Sequence, residues 1–179
     1  MVYVALLRGI NVGGHVVTME RLRRLFGEMG FTGVRSHIQS GNVFFETPEP
    51  DRTALERRIE ERLREALGYA VPTCLRTVAE LEEVVASDAF REVEVTPDVR
   101  LCVVFSAEPM PTGLALPLRS PKGDMEILRV TGRDAFMTWR IVDGRPPAFQ
   151  GFLEKTVGGR VTTRFFGAVA KILEAVKKG

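Results

Sequence analysis

Two periodicities alternate along the first 76 residues. Residues 2–8 begin with an unbroken apolar run, Val2-Tyr3-Val4-Ala5-Leu6-Leu7, that ends at Arg8, the length and composition of a buried strand. Residues 9–17 then form a glycine-rich loop. Thr18 stands where a helix N-cap belongs, and Met19, Leu22, Leu25, Phe26 and Met29 follow at helical spacing before Gly30, a left-handed stop. Residues 31–38 return to strand character, Gln39-Ser40-Gly41-Asn42 makes a tight turn, and Val43-Phe44-Phe45-Glu46 is a third strand. Beyond Pro48 and Pro50, Asp51 or Thr53 opens a second helix, with Thr53 and Glu56 in capping-box register. Leu55, Ile59, Leu63, Ala66 and Leu67 line its apolar face, and Gly68 ends it. Residues 70–76 are a fourth strand, and Pro72 within it points to a sheet edge.

The order βαββαβ is that of a ferredoxin-like plait, and right-handed crossovers give the sheet order 4-1-3-2. The second half is again α+β. A Thr77–Glu80 capping box starts a short helix to about residue 87. Strands are expected at 99–105, near 125–130 and near 135–142, an Asp143-Gly144 turn follows, and helices occupy 150–157 and 165–177. The expected fold class is therefore α+β with two subdomains, 1–76 and 77–179, the boundary falling within 77–98. The strand order of the second is not readable from pattern alone.

Composition changes this picture little. At 45% hydrophobic and 27% charged the chain is an ordinary globular protein of 179 residues. Its 25 basic and 23 acidic residues leave a net charge of +2, no footprint for tight nonspecific binding to nucleic acid or to a membrane surface. No apolar stretch approaches the roughly 18 residues of a membrane span, and no signal peptide is recognisable. Cys74 and Cys102 each lie in apolar runs, which favours free thiols in a reducing, cytoplasmic compartment.

Candidate chemistry follows from topology. In the 4-1-3-2 order the end of the first strand and the start of the third share one rim. That rim gathers Arg8, Gly9, Asn11, Gly13 and Gly14 with Ser40, Gly41 and Asn42. A glycine-rich loop feeding a helix N-terminus offers backbone N–H groups to an anion, and a guanidinium adds a planar donor pair. Taken singly, these residues are ordinary turn chemistry; their convergence makes a small anionic ligand the first reading. A protein-interaction scaffold is the alternative. An RNA-binding module ranks behind it, because the third strand keeps only part of the aromatic set. The loop is neither Gly-x-Gly-x-x-Gly nor a Walker A sequence. His15 and His37 without a third ligand make no metal site. No nucleophile or acid–base pair is readable, so catalysis, cofactor and oligomeric state stay open.

The run Ala5-Leu6-Leu7-Arg8-Gly9-Ile10-Asn11-Val12-Gly13-Gly14, then Met19 with Leu22, Gly30-Phe31, and Ile38-Gln39-Ser40-Gly41-Asn42-Val43 resembles the bacterial domain of unknown function 1697 family over about the first 85 residues. Lys155 with Thr162-Thr163-Arg164 is similar to that family's carboxy-terminal Lys…Thr-Thr-Arg signature, which adds Lys155, Thr163 and Arg164 as secondary site candidates. The family continues Asn-Trp-Asn-Thr where Phe165-Phe166-Gly167-Ala168 stand here. The resemblance implies two ferredoxin-like plaits, the second related to the first, and brings no established activity.

Overall fold

A computed structural model describes residues 1–37 and 41–179, the side chains of 149 and 150 excepted. The described residues form two antiparallel sheets and five helices, an α+β protein. They divide into two compact units, Met1–Glu83 with Lys171–Gly179, and Val84–Ala170.

The first unit runs β1 (Val2–Leu7), α1 (Met19–Glu28), β2 (Thr32–Ser36), β3 (Asn42–Glu46), α2 (Arg52–Leu67) and β4 (Thr73–Thr77). Its strands lie in the order β2-β3-β1-β4, which read from the other edge is 4-1-3-2. Successive side chains on a strand face opposite ways, so Tyr3, Ala5 and Leu7, Val43 and Phe45, and Leu75 share one face. Onto that face α1 packs Leu22, Leu25 and Phe26, and α2 packs Leu55, Ile59 and Leu63. Phe45 is the hub, its ring centroid 4.4 Å from Phe31, 5.6 Å from Phe26 and 5.8 Å from Tyr3.

Local chemistry sets the ends of these elements. The Thr18 hydroxyl accepts the Arg21 N–H at 3.1 Å, and Asp51 accepts that of Ala54 at 3.0 Å. The expected Thr53–Glu56 box does not form: Glu56 is buried and accepts the Leu75 N–H at 3.0 Å, because it lies on the stripe of α2 that faces β4. Gly68 closes α2 at φ +82°. Strand β4 begins one residue after Pro72, whose carbonyl accepts the Arg8 N–H at 3.0 Å; proline has no N–H to give to a ladder. Three arginines cap helix C-termini: Arg21 donates to Ala66 O at 2.9 Å, Arg58 to Met29 O, and Arg35 to Ala175 O and Val176 O at 3.1 and 3.0 Å.

After β4, the Thr77–Glu80 capping box opens α3 (Val78–Val85), with the Glu80 N–H donating to Thr77 Oγ1 at 3.2 Å and the Thr77 N–H to Glu80 Oε2 at 2.7 Å.

The chain continues through β5 (Val99–Ser106), β6 (Leu118–Arg119), β7 (Met125–Thr131), β8 (Asp134–Arg140), α4 (Phe149–Val157), β9 (Val161–Phe165) and α5 (Phe166–Lys177). The second sheet has the order β6-β7-β8-β5-β9. Its core includes Cys102, Val104, Met125, Ile127, Ala135, Met137, Trp139, Leu153 and Val161, which makes Trp139 a core residue. The Asp143-Gly144 turn has φ of +51° and +70°, closed by reciprocal hydrogen bonds of 3.0 Å between Val142 and Arg145. Strands β6 and β9 are absent from the sequence pattern. No described helix is long and apolar enough to cross a membrane.

Candidate functional site

The rim of the first sheet is built where β1 ends and β3 and β4 begin. Leu6 stands opposite Asn42 on one side and Cys74 on the other. Just past the ladder, the Leu7 N–H donates to Gly41 O at 2.9 Å. The two segments expected to meet do meet. Gly41 is required twice: its φ is +82°, and a Cβ there would lie 3.0 Å from Leu7 Cβ and 3.3 Å from Ile10.

Asn42 is buried, and its Nδ2 donates to His37 O at 3.1 Å while the His37 N–H donates to Asn42 O at the same distance. Its carboxamide therefore braces the β2–β3 hairpin. Asn11, at φ +59°, accepts the Val17 N–H on Oδ1 at 2.7 Å and draws the loop closed across six positions. Gly13 and Gly14, at φ +59° and +85°, form the centre of a tight turn in which the His15 N–H donates to Val12 O at 3.1 Å. Ile10 and Val17 anchor the loop in the core, and residues 11–16 are exposed. Two apolar side chains stand out there, Val12 at 57% and Val16 at 82% exposure.

Arg8 is half-buried and Gly9 has φ +78°. The connection after α2 arrives at this rim as topology requires, and Tyr69 stacks on the exposed His15, ring centroids 3.7 Å apart. Tyr69 Oη and His37 Nε2 are buried with no hydrogen-bond partner among the described residues. The sequence order already brings the Gly68-Tyr69 connection to this rim, because α2 runs back to it; the stacking of Tyr69 on His15 is what the structure adds. Ser40, like Gln39, lies outside the described residues.

The secondary candidates belong to the second unit. Lys155 is exposed on α4. Thr163 pairs with Val104 in the β5–β9 ladder, and the Arg164 guanidinium donates to Thr162 Oγ1 at 2.8 Å and Thr163 O at 3.0 Å, folded back on its own strand. Among the described residues no group of three or more His, Cys, Asp or Glu side chains could hold a metal ion.

What the first unit presents is thus an α+β sheet rim carrying a constrained, exposed, glycine-rich loop beside a helix N-terminus. The conserved bacterial protein SP0830 from Streptococcus pneumoniae is similar in fold, with a TM-score of 0.70 and 22% identity over 98% of each chain. Comparison with curated proteins finds no match. The chain belongs to the family described as protein of unknown function (DUF1697), whose model matches residues 1–136. The Lys155 and Thr-Thr-Arg segment lies beyond that match.

Proposed function

We propose that the rim binds a small anionic ligand, a phosphate or carboxylate group held by the Arg8 guanidinium and by backbone N–H groups of Gly9, Gly13 and Gly14 and of Met19 and Glu20 at the start of α1. The observation that carries this reading is the exposure of that loop at the helix N-terminus, beside Tyr69, whose ring stacks on His15 and whose buried Oη has no hydrogen-bond partner among the described residues. Positive φ at Gly9, Asn11, Gly13 and Gly14 lets consecutive peptide groups turn their N–H bonds outward. Asn11 and Asn42 serve as braces for the loop and hairpin, and Gly41 shapes the far wall. Glu20, in the first turn of α1, opposes the anion and keeps affinity moderate.

The scaffold on which this rim sits is, in this reading, a ferredoxin-like plait, followed by a related plait built on β7-β8-β5-β9. Free buried Cys74 and Cys102 suit a reducing, cytoplasmic setting. A protein-interaction role is the second reading, favoured by exposed Val12 and Val16 on the same loop. RNA binding fits poorly, because Phe44, buried on the sheet face opposite α1 and α2, already carries the Arg35 guanidinium 5.2 Å above its ring.

Titration calorimetry against inorganic phosphate, phosphorylated metabolites and small dicarboxylates tests the proposal. Arg8→Ala lowers affinity at least about tenfold, as expected for loss of a charge-assisted pair, and Glu20→Ala raises it. Absence of binding by every compound, with the wild-type protein folded, defeats it.

A further inference from the structure

Among the described residues the outer edge of β4 has no neighbouring strand, yet its donors are occupied. Thr73, Leu75 and Thr77 alternate along the strand, and their N–H groups point away from β1. Each meets a carboxylate: Thr73 donates to Glu60 Oε1 at 2.9 Å, Leu75 to Glu56 Oε1 at 3.0 Å, and Thr77 to Glu80 Oε2 at 2.7 Å.

The match has a geometric cause. Alternate strand residues are about 6.8 Å apart, and residues four apart on a helix rise about 6 Å. Helix α2 runs beside the edge in the opposite direction, so Glu60 and Glu56 reach successive donors. The next residue on that stripe is Arg52, which pairs with Glu80 at 2.8 Å and holds it on Thr77. The acceptor side is also served, by Arg76 Nη1 donating to Leu75 O at 2.8 Å. Glu56 and Arg76 are both fully buried. Burying ionisable groups is an inefficient route to stability, since desolvation offsets most of the attraction. It is an effective way to close an edge.

We infer that Glu56, Glu60 and Glu80 form a side-chain pseudo-strand that bars a second copy of this chain from pairing along β4. The occupant excluded is a β-strand, because what is blocked is the alternating donor row that such a strand would use.

Amide exchange and sedimentation of Glu56→Ala/Glu60→Ala, with Glu61→Ala as the exposed control, test it. In the wild type the Thr73, Leu75 and Thr77 amides are protected independently of concentration. In the double variant Thr73 and Leu75 exchange at least about tenfold faster in dilute solution, and protection returns at high concentration as a dimer forms; the control behaves as wild type. A double variant that stays monomeric at every concentration overturns the inference, as does wild-type protection that depends on concentration. If the double variant does not fold, Glu60→Ala alone decides: dimerisation with faster Thr73 exchange supports the seal, and a monomer at every concentration overturns it.

Discussion

The two sheets can be laid over one another by neighbour order. Omitting the two-residue β6, the second reads β7-β8-β5-β9, which repeats β2-β3-β1-β4 with β5 in the place of β1. The difference lies in the first crossover. Between β1 and β2 the chain makes a constrained loop and the capped helix α1. Between β5 and β7 it makes no helix; residues 107–123 contain Pro109, Pro111, Pro117 and Pro121 and lay down β6 against β7. Each proline removes a helix donor and restricts the residue before it, so this linker cannot wind into a helix. The anion-binding features proposed for the first sheet reside in the element the second lacks. One strand order therefore carries a candidate site in one unit and a structural brace in the other.

The comparison can be sharpened by substitution. The largest effect is expected at the rim itself. Gly41→Ala places a methyl against Leu7 and Ile10 in a left-handed conformation, and urea denaturation should show a loss of about 2–3 kcal/mol. Gly13→Ala meets open space at φ +59° and costs only the backbone term, about 1 kcal/mol. Equal losses at the two positions would mean that Gly41 is not wedged between the segments.

Helix caps separate the two units next. Asp51 caps α2, whereas Ala148 stands at the α4 N-cap with no side-chain bond. Asp51→Ala should destabilise by about 1 kcal/mol, and Ala148→Asp should stabilise by about 0.5–1 kcal/mol. Thermal melts of both variants check the opposite signs.

The smallest effect is a pH dependence. Burial pushes the Glu80 carboxyl up, but the Thr77 N–H and Arg52 outweigh it, and the net pKa lies below the ordinary 4.5. A lowered folded-state pKa contributes stability above the unfolded value and loses it as pH falls through the folded one. Glu80→Gln should therefore flatten the acid limb of stability below about pH 4.5. An unchanged limb would remove Glu80 from the edge seal. Cys102 supplies a contrast from the second sheet: burial raises its thiol to about 12, with Trp139 and Arg100 opposing, so it stays protonated at neutral pH.

How far the sequence could be read follows the same division. The first sheet was legible because each crossover held a capped helix, and right-handed crossovers leave one neighbour order. The meeting of Leu7 with Gly41 followed from that order. In the second half the proline-rich linker withheld the helix that fixes handedness. Strand β6 is too short to show a period, and β9 passes into α5 at Phe165-Phe166 without a turn residue, so the pattern gives Val161–Arg164 no strand and assigns Phe165 to the helix. Glu56 misled for a different reason: its spacing from Thr53 fits a capping box, but only the tertiary structure reveals that its side of α2 faces an edge strand. From sequence Asn11 and Asn42 are expected as ligand contacts; their hydrogen bonds within the loop and hairpin are visible only with the backbone in place.

The most direct test of a ligand site at the glycine-rich rim is an amide-detected NMR titration of the isotopically labelled protein with inorganic phosphate at low salt. Saturable shifts are expected at Gly9, Gly13, Gly14 and His15, with Arg8→Ala moving their midpoint to at least about tenfold higher phosphate. Resonances of that loop that stay fixed while the protein remains folded, or shifts that survive Arg8→Ala unchanged, would contradict that site.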